Sequence, residues 1–541
     1  MKLCPPLKLL CAGSVVSALA LITAGCGKSK KAEIADHAPS DGPGIEVNPH
    51  PHERGDVESG KQVFRFETFG NEGFWTDAAR LPQGVMQATL TPKQALEAGL
   101  QVDVEAIEPA VREALAQELK TDLSPQNAPM LNDVATTMKL IEANAVVGVV
   151  AVDSNSDGQI QIAPAGPDKV GISCAICHTI TDKSVYNLPG GGSIGRRIDG
   201  PAADTLNVGK LLATAANSRA FYPNVHANLG IGKTVGRDSL IPLTANSTEE
   251  DFDAFLSDVQ KYPVGTFDET QDGNGNSVLN TPLFRQDLAA PYGSAGEFAK
   301  LEDIGNASYT TNLDPTTLVT PEGRAFLKIK AGDVGLTLAD EYEKILKATN
   351  VTGYPFVKAE LTGKPGEQAT IVGRRVDNKK LLDMNAYLDA LPAPKGAQIE
   401  PQVATRGREL FRVNCTSCHN VDQSKFVPPT LLALEKVWPA YKPIVVMKRP
   451  PLSPIQNALG GFDDKMIVVD ASDRGGTRGN ALPLLLDLDR KSLFLHDASV
   501  KSLDELLNPE RGRLSPHPFY FSDASQRSDM VAFLRSLDTG K

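Results

Sequence analysis

KVGISCAICHT at residues 169–179 and GRELFRVNCTSCHN at residues 407–420 each hold a Cys-x-x-Cys-His cluster. Two cysteines separated by two residues lie one helical turn apart on one face. Their sulfurs can reach the two vinyl groups of one porphyrin, and the adjacent histidine turns its imidazole toward the iron. The spacing therefore predicts two covalently bound haem c groups, held by Cys174, Cys177, Cys415 and Cys418, with His178 and His419 as proximal iron ligands. The rival reading is zinc, which the four thiolates could bind jointly. Zinc gives no reason for a histidine directly after each pair, nor for export.

Export is read from the N-terminus. Lys2 and Lys8 precede a mostly apolar stretch at 9–22, too short to span a bilayer comfortably. Thr23-Ala24-Gly25 then leads into Cys26, which resembles a bacterial lipoprotein signal over residues 1–26. Thr23 departs from that pattern, where Leu, Val or Ile is usual. The resemblance implies acylation of Cys26; simple cleavage to a mature protein without lipid is the alternative. Gly27 after the acylated cysteine, in place of a retaining Asp, points to the periplasmic side of a Gram-negative outer membrane. Of the seven cysteines, Cys4 and Cys11 leave with the signal and Cys26 takes lipid. Every remaining one belongs to a haem motif, so no disulfide framework is expected.

The net charge of −11 and the lack of long basic runs argue against nucleic acid as a partner. Residues 27–60, rich in Lys, Asp, Gly, Pro and His, read as a flexible linker, with His37, His50 and His52 as solvated linker residues. Residues 61–395 are assigned to an N-terminal haem lobe and 396–541 to a C-terminal one. Apolar spacing predicts helices at 105–119, 132–144, 379–391, 405–411 and 525–537, and a β-branched strand at 145–152. NAYLDALPAP and MVAFLRSLDT close the two haem-bearing units in equivalent places, a weak internal repeat. The expected fold is mainly α with long loops: two class I cytochrome c-like haem lobes, the first much enlarged.

Gly407 and Phe411 ahead of Cys415 resemble the class I cytochrome c signature. LFLHDASVKSLDELL at 493–507 resembles the P-Y-x-H-D-G-S-x-x-x-L segment of bacterial di-haem cytochrome c peroxidases and their relatives, which include the methylamine-utilisation di-haem enzymes and the haem rubber oxygenases. His496, Asp497, Ser499 and Leu503 match; Leu493, Phe494 and Ala498 stand in for Pro, Tyr and Gly. The resemblance covers the C-terminal lobe, and the first lobe only through its haem motif. It implies a Trp between the haems, but the two tryptophans, Trp75 and Trp438, lie outside the stretch between the motifs. Trp75 reads first as core, which leaves Phe221, Tyr222 or Tyr292 as candidate inter-haem aromatics. The resemblance also implies Ca²⁺ between the lobes. DSNSDGQIQI from Asp153 opens like an EF-hand loop but has Pro164 where a bidentate Glu is required, and FDETQDGNGN from Phe267 is similarly acidic. Turn chemistry explains both.

The sixth iron ligand decides function. Two strong protein ligands make an electron carrier, and an open position binds peroxide or oxygen. In the C-terminal lobe His517, in LSPHPF, is the leading candidate, followed by Met447, Met466 and His496. The first lobe offers only His226 and Met384, for which surface and core roles respectively are the stronger readings. Loops such as GGGSIG at 190–195 could shape a channel. The expectation is an exported di-haem oxidoreductase of the peroxidase or oxygenase type, with the haem at His178 open and a small redox protein as partner. The alternative is a non-catalytic carrier with two six-coordinate haems. A sensor ranks third, since no signalling domain is attached. The size of the first lobe favours the enzyme, because about a hundred residues would serve to pack one haem.

Overall fold

The computed structural model describes residues 55–225, 243–267, 278–290, 292–293, 298–416, 418–419, 429–432, 466–469, 480–481, 484–495, 498–513, 515 and 517–539. The signal, Cys26, most of the 27–60 linker with its three histidines, His226, Trp438, Met447 and His496 lie outside the described residues.

Two helix crossings organise the chain. The helix Val57–Phe66 starts where the Asp56 side chain accepts from the Ser59 N–H. This places the end of the linker at residue 56, four residues earlier than the sequence reading. Gly60, Val63 and Phe64 form its buried face and pack on the helix Asn378–Ala390. A Cβ on Gly60 would lie 1.9 Å from Asp383 O, and the Phe64 and Tyr387 rings are 5.8 Å apart. The helix Pro401–Asn414, with Pro401 in its first turn, crosses Ala524–Arg535 in the same way. There a Cβ on Gly407 would lie 2.6 Å from Asp529 O, and Phe411 and Phe533 are 5.8 Å apart. The sequence repeats accordingly: GKQVF and GRELF on the first helices, DMNAY and DMVAF on the second. Only glycine lets two backbones approach so closely.

Each crossing seeds its own hydrophobic core. One is built from residues between Val63 and Ala393, with Leu486 added. The other runs from Phe411 to Leu537. In the C-terminal unit the helix leads directly into its Cys-x-x-Cys-His motif. In the N-terminal unit residues 67–173 intervene, and long-range hydrogen bonds bring the motif back. The Asn71 side chain exchanges bonds with the backbone of Ile172 at 2.8 and 2.9 Å, and Ser173 Oγ donates to Arg65 O at 2.8 Å.

The architecture is mixed rather than purely helical. Helices dominate, but the enlarged N-terminal unit carries hairpins, including Val149–Val152 with Lys169–Ile172 and Glu360–Glu367 with Thr370–Arg375. Among the described residues no sheet exceeds three strands. The helices expected at 105–119 and 132–144 are found as Pro109–Glu118 and Val134–Glu142. The C-terminal ones are found as Pro401–Asn414 and Ala524–Arg535. GGGSIG is only partly a loop: Ser193–Gly195 is a strand between Val102–Asp103 and Tyr186–Asn187, with Ile194 buried.

Gly60→Val and Gly407→Val should each destabilise their unit by about 3 kcal/mol or more, because the added methyls meet a helix backbone that cannot yield locally. Chemical denaturation checks this; a loss below about 1 kcal/mol would contradict the crossing geometry.

Candidate haem sites

In the N-terminal motif the single helical turn Ala175–His178 follows Cys174 directly. Cys174 Sγ lies 3.3 Å from Tyr309 Oη and 3.9 Å from Met384 Sδ. Tyr309 is fully buried in the π-turn Ser308–Asn312, and its hydroxyl also donates to Glu67 O at 3.2 Å. His178 Nδ1 is 2.8 Å from Thr281 O. A carbonyl only accepts, so Nδ1 carries the proton and Nε2 keeps its lone pair for a metal. His178 is half-buried. Burial lowers its pKa to about 4, so it is neutral at physiological pH.

Asp199 ties this turn to both crossing helices. It accepts from Arg65 Nε and Tyr387 Oη, each at 2.5 Å, and from Thr179 Oγ1 at 2.9 Å. Gly200 N donates to His178 O at 2.8 Å. The sequence reading missed Thr281, Asp199 and Tyr309. Thr281 acts through its backbone, so no side-chain signal exists for it.

Met384 packs against Cys174 Sγ, the sulfur that would hold the haem by a thioether. Its burial and its repeat partner Met530, equally buried in the second core, mark it as core.

In the C-terminal motif Cys415 caps the helix Pro401–Asn414, and His419 N donates to Cys415 O at 2.9 Å. The structure brings His517 to this site. The His419 and His517 ring centroids are 6.3 Å apart, with planes inclined by 59°. Metal–nitrogen bonds of about 2 Å, plus about 1.1 Å from nitrogen to ring centre, would put two imidazoles holding one iron from opposite sides about 6.2 Å apart. Tetrahedral ligation would bring them to about 5 Å by the same sum. His517 has a left-handed backbone, φ 55°, and its buried Nδ1 has no hydrogen-bond partner among the described residues. Such strain and such an orphan are usual at functional sites. Burial, and secondarily His419, lower the His517 pKa to about 3; burial lowers that of His419 to about 4. Met466 opens the strand Met466–Val469.

The donor set also bears on zinc. Burial pushes the thiol pKa of Cys174 up to about 11, and those of Cys177 and Cys415 up to about 12. Among the described residues no three His, Cys, Asp or Glu converge as a metal cluster, so the two motifs do not form a joint zinc site. Apolar sulfurs with neutral histidines fit thioether-bound haem.

The remaining candidates have other surroundings. Trp75 is core, its Nε1 donating to Leu313 O and its ring 5.1 Å from Phe221. Tyr222 binds Glu341, and Tyr292 Oη donates to Gln286 O. In the Asp153 loop the carboxylates of Asp153 and Asp157 accept from the backbone N–H groups of Asp157, Gly158 and Gln159, the bonds of a turn. Most of the 267–276 segment lies outside the described residues.

Comparison with known proteins gives no match: no family model, curated protein or solved structure is similar to this chain.

Proposed function

We propose that the protein is an exported di-haem c-type cytochrome of peroxidase-like type, lipid-anchored through Cys26 in the periplasm. In this reading each unit is a class I cytochrome c-like lobe. The haem at His419 takes His517 as its sixth ligand and handles electrons, while the haem at His178 keeps an open position for chemistry. The observation that carries the reading is the 6.3 Å His419–His517 separation, which suits ligation from opposite faces. It is supported by the displacement of Met384 to the edge of the first site, which leaves that site without its methionine candidate. Bound haem supplies the redox and ligand-binding chemistry. The chain's own contribution is to fix the His178 tautomer through Thr281 O and to exclude bulk water by burial around Cys174 and Tyr309.

The carrier alternative predicts two closed irons. Carbon monoxide titration of the reduced protein separates the two: the proposal expects one molecule bound per chain, at the haem lost in a Cys174/Cys177 variant. No binding would favour the carrier. Among the described residues no helix is long and apolar enough to cross a membrane.

A further inference from the structure

We infer that the C-terminal unit holds in place the carbonyl that orients His178, with Leu493 as the positioning residue. The acceptor, Thr281 O, follows the short strand Val278–Leu279, which pairs with Thr266–Phe267. Two backbone bonds fix it from within the N-terminal unit: Asn280 N donates to Gly265 O at 2.9 Å, and Leu283 N to Gly200 O at 2.7 Å. The outer side of this hairpin is covered by the other unit. Leu279, Leu493 and Ala498 form a small buried cluster of their own. Gly265, at φ 77°, is wedged between Leu493 Cδ1 and Asp204 O, so that a Cβ there would lie 2.5 and 2.7 Å from them. The adjacent Ser492 N donates to Asp204 Oδ2 at 3.3 Å, and Ala203, next to Asp204, donates to Cys177 O.

Ser492, Leu493 and Ala498 therefore bear on both stretches of chain that touch the first motif: the turn bonded to Cys177 and the hairpin bonded to His178. Its other end is fixed in the C-terminal core, where Phe494 and Val500 pair through their backbones and share a hydrophobic cluster with Phe411, against which Cys415 packs. The two sites are thus joined by one continuous packed path that ends on the proximal histidine. Leu493, which stands where the resembling segment has Pro, supplies the contact; Pro at that position would place a ring where Leu493 reaches the hairpin with its δ-methyl. A hydrogen bond from Nδ1–H makes an imidazole a stronger electron donor to its metal, so the docking of one unit sets the electronic character of the site in the other. Such a coupling is reciprocal: the state of the first site also biases the docking.

The inference rests on the haem reading only for its redox arm. In the full-length holoprotein, Leu493→Ala should raise the midpoint potential of the haem at His178, because the weaker donor favours the ferrous state. The potential at His419 should stay fixed. Hydrogen–deuterium exchange of residues 278–283 should quicken by about tenfold while the Val57–Phe66 helix is unchanged. Leu493→Met should restore both readings. If Leu493→Ala does not accumulate, Leu493→Val should shift both in the same direction by less. Unchanged exchange at 278–283, or equal quickening at 57–66, would overturn the inference. So would a potential shift of equal size at both haems. Should the wild type carry no covalent haem, the functional reading fails while the exchange measurement still decides whether Leu493 holds the hairpin.

Discussion

Replacing Cys174 and Cys177 by Ala should halve the haem stain of the chain on a denaturing gel, replacing Cys415 and Cys418 alone should do the same, and the combined variant should not stain at all. A denaturing gel keeps only covalently bound haem, so the stain counts thioether-bearing motifs. The prediction rests on local geometry that differs between the two sites in origin but not in outcome. At 415–419 the motif continues from its own helix. At 174–178 it is returned to the helix Val57–Phe66 by Asn71, Ser173 and Asp199. Equal loss from each pair would show that this long-range assembly builds as complete a site as the local one. Full staining in both variants would defeat the haem reading altogether.

His517→Ala should convert the haem at His419 from low-spin to high-spin and raise carbon monoxide binding from one molecule per chain to two. A six-coordinate iron with two imidazoles has no free position, and alanine leaves one. His517 makes a sharp test because its Nδ1 has no hydrogen-bond partner among the described residues, so the substitution breaks no side-chain hydrogen bond there. The substitution keeps a Cβ on the same left-handed backbone, so it removes the imidazole without changing the turn. A variant that stays low-spin would show that another residue, such as Met447 or Met466, fills the sixth position.

The motifs are legible because covalent haem attachment, as proposed, would require a fixed Cys-x-x-Cys-His spacing that packing alone does not produce. Helices were legible where apolar residues recur with helical period, as in KKLLDMNAYLDAL. His517 could be singled out from its proline-bracketed loop, but its distance from His419 needed the fold. The glycine crossing shows a different limit. GKQVF and GRELF are visible repeats, yet residues 67–173 separate the first from its motif, so the pairing of Gly60 with Asp383 could be found only in three dimensions. Ser193–Gly195 reads as loop because the glycines of GGGSIG carry little strand signal, although Tyr186–Asn187 nearby and Val102–Asp103 far away both pair with it. Thr281 was invisible for a stricter reason: it offers His178 a carbonyl, which every residue possesses. Met384 was correctly read as core from its helix, and the structure adds that it packs on Cys174.

On the proposed reading, the two irons differ in coordination. Electron paramagnetic resonance of the oxidised wild-type protein tests it directly, since high-spin and low-spin ferric haem give separate signals. The account predicts one of each per chain, with the high-spin signal lost in the Cys174/Cys177 variant and the low-spin signal lost in the Cys415/Cys418 variant. Two low-spin signals that neither cyanide nor carbon monoxide disturbs would contradict it, and would leave the protein an electron carrier.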